Sequence, residues 1–435
     1  MLSLRYLLTT YSVVMVTLIL SVQSQVIPKR AYVINTVANT LSVLDINNQT
    51  VISDTLSPGP NSMPNYIAIR EGKGYVVDSG INDIMVFDIN TLQRIKHIPL
   101  PNGSNPWAMD FINDSISVVS FNLTAQVAFI NVNSNTILRT VKVGIGPEGV
   151  KYYNSKIYVA NCGFVNVGQP FKPGSISVLD AQTLSVIDSI SVSINPQDLD
   201  IDANGNLLVA CTGHYFIADG RLEIIDTMVD TVASSVNLNP DINGVRVSSE
   251  NKAYLPTYGQ GVLVYNLDTQ EFEAGEQNPL SGGPGVAFDA NSNAYITDFG
   301  DGIEAGRLLV YSSSHQLLHN YQVSVGPNFV AVSNFVRGSD KVPDQIELYQ
   351  NYPNPFNPGT YIDFKMDSPG KITLEIFDLL GQKISTLYNG YLFSGFYHYY
   401  WDGLNSRGLP VSSGTYIFRL KMKNSVQSHK MNLLR

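Results

Sequence analysis

The sequence predicts an all-β fold, in which a seven-bladed β-propeller is followed by a small β-sandwich. The first observation is composition: 10% of the 435 residues are aromatic and only 14% are charged, with 34 Gly and 22 Pro to supply turns. The second is a proline-led apolar strand that recurs seven times at intervals of 41 to 49 residues. The third is a C-terminal segment of about 90 residues with short alternating runs separated by turns, which is typical of a small sandwich.

The first 24 residues have the pattern of a secretory signal peptide. Arg5 precedes a mostly apolar stretch from Leu7 to Val22, and small residues suit a cleavage site before Gln25. A membrane-anchoring helix is disfavoured, because this stretch is shorter than the ~20 residues of a span and contains Thr and Ser. We therefore expect an exported chain without a membrane span. Outside the cytosol Cys162 and Cys211 either form a disulfide or stay as two buried thiols, and the sequence leaves both interpretations open.

Each repeat holds four predicted strands. The first strand follows a proline, which has no N–H and therefore fits the start of a strand. The second is of the Tyr-Val-x-Asn kind, as in Tyr32–Asn35, and the third ends in Asp or Asn in six of seven copies, as in Ser42–Asp45. Four strands every ~40–45 residues is the period of a propeller blade. The seven prolines are Pro64, Pro106, Pro147, Pro196, Pro240, Pro284 and Pro327.

The two ends of the repeat region predict how the ring closes. The first copy starts directly at Tyr32, and the last copy leaves the strand Pro327–Val332 unused. Pairing these two strands would remove exposed sheet edges. The pattern over residues 31–336 resembles the YVTN-type seven-bladed propellers, and we expect this domain to span residues 25–341. The resemblance implies a fold, because propellers have many unrelated activities.

The C-terminal segment, residues 342–435, contains five ordered motifs. They are Tyr-Pro-Asn-Pro-Phe-Asn-Pro at 352–358, Ile376-Phe377-Asp378 with Gly381, Trp401-Asp402-Gly403, Ser413–Tyr416 and Lys430–Arg435. The segment resembles the Ig-like C-terminal sorting domain (type A) of cargo proteins of the type IX secretion system. The resemblance implies transport across the outer membrane of a Gram-negative bacterium, with the secretion machinery as a partner and a secreted or cell-surface destination. An ordinary Ig-like binding module is the alternative.

The predicted ring places one set of polar residues around the mouth of its central channel. The residue after each proline faces this mouth, and near Pro240 the counterpart is Asn243. Amides, one carboxyl and one indole suit a polar ligand such as a sugar, whereas the alternative is that they only satisfy strand ends and channel waters. The candidate ligand-binding residues are Asn65, Trp107, Glu148, Gln197, Asn243 and Asn328.

Three loops on the same face are longer than their counterparts, and long loops on a rigid scaffold often bind ligands. They are residues 162–175, 212–221 and 299–307, and the second adds His214, Tyr215 and Asp219 to the candidate site. Insertions without a function are the alternative.

The sequence contains no recognisable catalytic or metal-binding constellation. His315 and His319 flank a turn rather than share a helix face, and the segment from Asp200 lacks the Glu of a calcium-binding loop. No cofactor is expected. A net charge of −9 without a basic run argues against nucleic acid as a partner.

The function predicted from these observations is a binding or interaction module, with a sugar or a protein as the extracellular ligand. Two alternatives stay open. One is an extracellular enzyme of lactonase, lyase or glycan-hydrolysing type, in which Glu148 acts with Asp219 or Asp301. The other is a structural component of the surface layer.

Overall fold

The computed structural model describes residues 29–165, 171–215, 219–333, 346–366, 370–392, 395–422 and 425–435. The predicted signal peptide and the predicted domain boundary at residues 341/342 lie outside these ranges. The described residues form 35 strands and one 3₁₀ helix (Asn122–Thr124). This content confirms the predicted all-β class. In the described ranges, no helix has the length and apolar character needed to cross a membrane.

Within residues 30–333, the described residues form seven four-stranded antiparallel sheets, called blades 1 to 7 here. Blade 1 contains β1 (Arg30–Asn35), β2 (Thr40–Asp45) and β3 (Thr50–Leu56). Blade 2 contains β4 (Pro64–Arg70), β5 (Lys73–Asp78), β6 (Asp83–Asp88) and β7 (Arg94–Pro99). Blade 3 contains β8 (Pro106–Phe111), β9 (Ile116–Phe121), β10 (Gln126–Asn131) and β11 (Thr136–Lys142). Blade 4 contains β12 (Pro147–Tyr153), β13 (Lys156–Asn161), β14 (Ser175–Asp180) and β15 (Ser185–Ser191).

The remaining blades repeat this order along the chain. Blade 5 contains β16 (Pro196–Ile201), β17 (Leu207–Cys211), β18 (Gly220–Asp226) and β19 (Thr231–Leu238). Blade 6 contains β20 (Arg246–Val247), β21 (Lys252–Pro256), β22 (Val262–Asn266) and β23 (Glu271–Ala274). Blade 7 contains β24 (Val286–Phe288), β25 (Ala294–Asp298), β26 (Ala305–Tyr311) and β27 (Leu317–Val325). The next strand, β28 (Pro327–Ser333), belongs to blade 1.

The closure of the ring is confirmed. Strand β28 pairs antiparallel with β1, from Arg30 opposite Ser333 to Asn35 opposite Pro327. The side chain of Ser333 strengthens this pairing by accepting a 3.0 Å hydrogen bond from the Arg30 backbone N–H. The last strand of the propeller therefore completes the first blade.

The core of the propeller is a circle of interfaces between neighbouring blades. Strand β1 shows how period-two alternation builds it: Tyr32 and Ile34 pack toward blade 2, whereas Ala31 and Val33 pack toward blade 7. Equivalent buried clusters join blades 2 and 3, 3 and 4, 4 and 5, 5 and 6, and 6 and 7. Seven interfaces between seven blades close the described ring, and unpaired strand edges remain only at the innermost and outermost strand of each blade.

Residues 346–433 form two sheets that share one core, as an Ig-like sandwich requires. One sheet contains β29 (Ile346–Leu348), β30 (Thr360–Met366) and β33 (Gly395–Trp401). The other has the order β32 (Lys383–Leu392), β31 (Gly370–Asp378), β34 (Gly414–Met422) and β35 (Ser425–Leu433).

The motif residues of the sandwich are structural. The rings of Phe356 and Trp401 are both buried, with centroids 5.7 Å apart. Trp401 Nε1 donates a 2.9 Å hydrogen bond to the Leu404 carbonyl, and the guanidinium of Arg435 donates one of 3.0 Å to the Gly403 carbonyl. The opening motif and the C-terminal motif are thus fixed to the same core.

Candidate functional site

A β-bulge follows the proline of the innermost strand in five blades. Pro64 lies opposite Asp78 and Tyr66 opposite Val77, so Asn65 between them has no partner in the register. An unpaired bulge residue bends the strand and redirects its side chain. We infer that these bulges direct one side chain per blade into the channel mouth. The corresponding bulge residues in the other four blades are Trp107, Glu148, Gln197 and Asn328.

The bulge residues share one cavity of about 300 Å³, called the mouth cavity here. All six residues predicted around the mouth line it: Asn65, Trp107, Glu148, Gln197, Asn243 and Asn328. Gly285 occupies the seventh position, after Pro284. Of the three candidates from the long loop, only Tyr215 lines the mouth cavity. The placement of the post-proline residues follows the sequence prediction, while their role in binding stays a prediction.

Glu148 is the most unusual group of the cavity. Its side chain is buried among three blades, Oε1 accepts a long hydrogen bond of 3.5 Å from Asn122 Nδ2, and the carboxyl group lies beside the Cys162 thiol. Burial raises the pKa of the Glu148 carboxyl to about 8; the neighbouring Cys162 thiol opposes the shift, and the Asp198 carboxylate adds to it. Burial and the neighbouring Glu148 likewise raise the pKa of the Cys162 thiol. Both groups are therefore neutral at pH 7.

Two oxygen atoms of the mouth cavity are buried without a hydrogen-bond partner among the described residues. They are Glu148 Oε2 and Asn243 Oδ1. Such atoms are rare in native proteins and call for a specific reason. Asn65 differs, because its Nδ2 donates to the Pro106 carbonyl at 3.2 Å and its Oδ1 accepts from the Ser79 N–H at 3.3 Å. The hydrogen bonds of Asn65 are thus used within the protein to satisfy strand ends. Glu148 Oε2 and Asn243 Oδ1, in contrast, can still accept a hydrogen bond from a ligand.

The charged residues Asp198 and Arg246 of the mouth cavity are paired, and so are the neighbouring Lys151 and Asp200. The guanidinium of Arg246 forms an ion pair with Asp198, and Lys151 Nζ lies 2.6 Å from Asp200 Oδ1. Both carboxylates also accept backbone N–H groups of blade 6, from Val245 at 3.1 Å and from Val247 at 2.8 Å. Burial alone would raise the pKa of Asp200, but Lys151 and Arg246 outweigh it and keep it below its usual value. These carboxylates therefore join the inner strands of blades 5 and 6.

The pair His214 and Asp219 closes the second long loop on itself. His214 Nδ1 lies 2.8 Å from Asp219 Oδ2, and the His214 N–H donates to Asp219 Oδ1 at 2.7 Å. Slight burial acts to raise the pKa of Asp219, but these hydrogen bonds from His214 outweigh it and keep it below its usual value. The pair does not line the mouth cavity; it fixes the loop that carries Tyr215. Asp301 lies in a different exposed loop, where it accepts backbone N–H groups from Ile303 and Glu304.

Sequence reasoning missed two features of the mouth. Tyr258 lines the cavity from the short loop between β21 and β22, where loop length gave no signal. The Asp198–Arg246 pair was missed because its members lie 48 residues apart and meet only between blades. The open question about the cysteines is answered by the structure: Cys162 and Cys211 are free, buried thiols. Among the described residues no group of three or more His, Cys, Asp or Glu is placed to hold a metal ion.

Comparison with known proteins supports the two-part architecture. Residues 350–433 match the family described as a secretion system C-terminal sorting domain. A domain of this family indicates export by type IX secretion to the cell surface or the extracellular space. No curated protein matches the chain.

Solved structures show the propeller fold alone, because the sequence identity is low. Hydrazine synthase from Kuenenia stuttgartiensis aligns with a TM-score of 0.52 and 14% identity, over 64% of this chain and 94% of that chain. A quinonprotein alcohol dehydrogenase-like protein from Bacteroides thetaiotaomicron aligns with a TM-score of 0.53 and 16% identity, over 71% of this chain and 79% of that chain.

Proposed function

We propose that the protein is an exported binding module of YVTN type that captures a polar extracellular ligand in the mouth cavity. The carrying observation is the convergence of the bulge residues on one cavity in which Glu148 Oε2 and Asn243 Oδ1 are buried without partners. Buried polar atoms gain most from a ligand that satisfies them, since an unpaired buried group costs about 1–3 kcal/mol. The repeat pattern supports the YVTN type, and the sorting domain supports export.

Trp107 offers a direct test, because the chain has two tryptophans and the other one, Trp401, is buried in the sandwich. The full chain without residues 1–24 would be screened with sugars, lactones and short peptides, reading tryptophan fluorescence together with the melting temperature. A ligand at 100 times its Kd raises the free energy of unfolding by ~2.7 kcal/mol. We expect a compound that changes both signals.

Trp107→Ala should remove the fluorescence response and weaken binding of that compound by about tenfold or more, as loss of a buried aromatic anchor does. The matched control is Phe272→Ala, which truncates an aromatic ring on the outer strand β23. Equal affinity of Trp107→Ala and the intact protein would move the site away from the mouth cavity and contradict the proposal.

A glycan-hydrolysing enzyme is a second candidate, favoured by one observation. A carboxyl whose pKa lies near 8 is protonated at neutral pH, which is what a general acid requires. The required second carboxylate is less well provided, because Asp198 in the cavity is held by Arg246, and Asp219 and Asp301 are hydrogen-bonded within loops.

Product analysis distinguishes the binding module from the glycan-hydrolysing enzyme. Incubating a bound glycan with the protein and measuring new reducing ends should give none if the protein only binds. Turnover that disappears in Glu148→Gln while binding persists would establish the enzyme instead.

A further inference from the structure

Four aromatic rings form a continuous row that leads away from the mouth cavity. Their order is Phe164, Phe171, Tyr215 and Tyr258, with successive centroids 6.0, 5.8 and 5.7 Å apart. The first two belong to the long loop of blade 4, and the others to loops of blades 5 and 6. We call this set the aromatic row. Tyr215 and Tyr258 are 38% and 49% exposed, so large ring surfaces remain open to a ligand.

Gln197 connects the aromatic row to the mouth cavity. Its Nε2 donates to the Tyr215 hydroxyl at 2.8 Å, and its Oε1 accepts from the Tyr258 hydroxyl at 3.2 Å. These bonds fix both tyrosines at the rim of the cavity, which they also line. The cavity and the row therefore form one continuous surface across three blades.

The mouth cavity borders a second cavity of the propeller. Tyr66 and Arg246 line both this cavity and a second one of about 460 Å³ that is lined in part by residues of the opposite blade ends, such as Asp289. Tyr66 and Arg246 thus lie where the two cavities meet, together with Val286, Phe329 and Val330. At about 300 Å³ the mouth cavity is near the lower limit for sites that hold small ligands, roughly 300–1,000 Å³. The end of a chain fits a site of this size, whereas a chain that ran through the channel would have to pass Tyr66 and Arg246 where the two cavities meet.

The charge balance of the cavity favours an uncharged ligand. Asp198 is neutralised by Arg246, and the remaining lining is mainly amide, aromatic and aliphatic. The titratable groups that face Glu148 are the neutral Cys162 thiol, the paired Asp198 and the Tyr258 phenol. Glu148 itself lacks a cationic partner among the described residues and contributes a neutral carboxyl group at pH 7.

We propose that the mouth cavity and the aromatic row bind the end of an uncharged oligosaccharide chain. The terminal sugar enters the cavity, where its hydroxyl groups donate to Asn243 Oδ1 and exchange hydrogen bonds with Glu148. Hydroxyls suit these partners because they donate and accept at once. The next sugars stack on the rings of Tyr258, Tyr215 and the phenylalanines, which present the apolar faces that sugar rings pack against. This inference rests on the proposed function and names its ligand class.

A peptide ligand fits the same surface less well. Peptides are bound by an exposed sheet edge or by apolar pockets for alternate side chains. In the described ring the unpaired strand edges belong to the innermost and outermost strands of the blades, and the mouth cavity is lined by amide and carboxyl groups as well as by aromatic and aliphatic ones, so it is not a purely apolar pocket.

The test is a titration of the full chain without residues 1–24 against gluco-, manno- and xylo-oligosaccharides of one to six units, by calorimetry at pH 7. For at least one series, affinity should rise about threefold to tenfold with each unit up to about the fourth and then level off, as stacking on successive rings predicts. Affinity that does not depend on chain length would overturn the role of the aromatic row, and binding of uronate chains as tight as that of neutral ones would overturn the charge argument.

Variants separate the two parts of the site. Phe171→Ala, outside the cavity, should lower affinity for the longest chain by about threefold to tenfold and leave the single sugar unchanged. Glu148→Ala should weaken binding of both the longest chain and the single sugar. Glu148→Gln should bind at pH 7 and keep its affinity at pH 9, where the intact protein weakens as Glu148 ionises. Lys172→Ala, beside Phe171, is the matched control for the loop and should behave as the intact protein.

The outcomes also distinguish this inference from the proposed function. If no oligosaccharide binds but another small molecule changes Trp107 fluorescence, the saccharide inference is wrong and the proposed function stands. If no compound of either screen binds, both are wrong. Preferential binding of peptides would overturn the saccharide inference alone.

Discussion

In the C-terminal sandwich the motif residues are themselves the core, whereas in the propeller the recurrent residues surround a position that varies. Phe356, Trp401 and Tyr416 are buried, and the ring of Trp401 contacts both others. In the propeller five of the seven repeated prolines begin strands, and the residue after each of these five lies in a bulge beside the mouth cavity. The motifs of the sandwich thus serve its fold. In the propeller the repeated strands serve the fold, while the residue type at the seven positions around the mouth cavity differs from blade to blade.

The largest effect is expected on secretion, when the sandwich is removed from the propeller. Removing residues 343–435 deletes the sandwich but none of the strands of the blades, so the propeller should fold and remain in the periplasm. Cell fractionation with an antibody against the propeller measures this. Trp107→Ala in the full chain is the matched control and should be secreted normally. Normal secretion of the shortened chain would show that the sandwich is not the export signal.

The second prediction concerns the stability of the propeller at the pairing of β1 with β28, which closes the ring. Val330 lies opposite Val33 in the closing pair and is buried at the seam between blades 1 and 7. Val330→Asp places an unpaired charge there and should lower the free energy of unfolding by about 3 kcal/mol or more. Ile52→Asp, on the exposed outer strand β3, is the control and should change it by about 0.5 kcal/mol or less. Chemical denaturation measures both, and equal losses would contradict a special role of the seam.

A pH-dependent effect, absent at low pH and growing as the pH rises, is expected at Glu148. The pKa of Glu148 is about 8 in the folded protein and ~4.3 in an unfolded chain. Between these values the folded state holds one more proton, so stability from this group falls by ~1.4 kcal/mol per pH unit as the pH rises. Glu148→Gln lacks this loss, and its advantage over the intact protein should grow from pH 5 to pH 8. Denaturation at the two pH values measures the trend, and a constant difference would refute a buried, protonated Glu148.

The smallest effect is expected at the loop pair. His214→Ala breaks the contact with Asp219 and loosens the loop that carries Tyr215. Because both side chains are more than a third exposed, the loss of ligand affinity should be about twofold to threefold. Calorimetry with the ligand from the screen measures it. A loss as large as that of Trp107→Ala would place His214 in direct contact with the ligand.

The sequence predicted the frame better than the site. Proline has no N–H, and five of the seven prolines begin strands as expected, including Pro327 in the closing strand. The same reasoning placed Asn65, Trp107 and Glu148 at the mouth. The bulge that directs them there depends on the register with the next strand, which no local pattern shows. The pKa of Glu148 depends on burial among three blades, and Tyr258 reaches the cavity only through the ring geometry.

The pairing of β1 with β28 also sets an order of events during synthesis. Arg30 and Ser333 are neighbours in one sheet although 303 residues separate them. Strand β1 therefore leaves the ribosome long before its partner exists, and blade 1 keeps an unpaired edge until residue 333 has been made. The ring therefore cannot close until nearly the whole propeller has been synthesised, and the segment made last decides whether the segment made first is held in a complete blade.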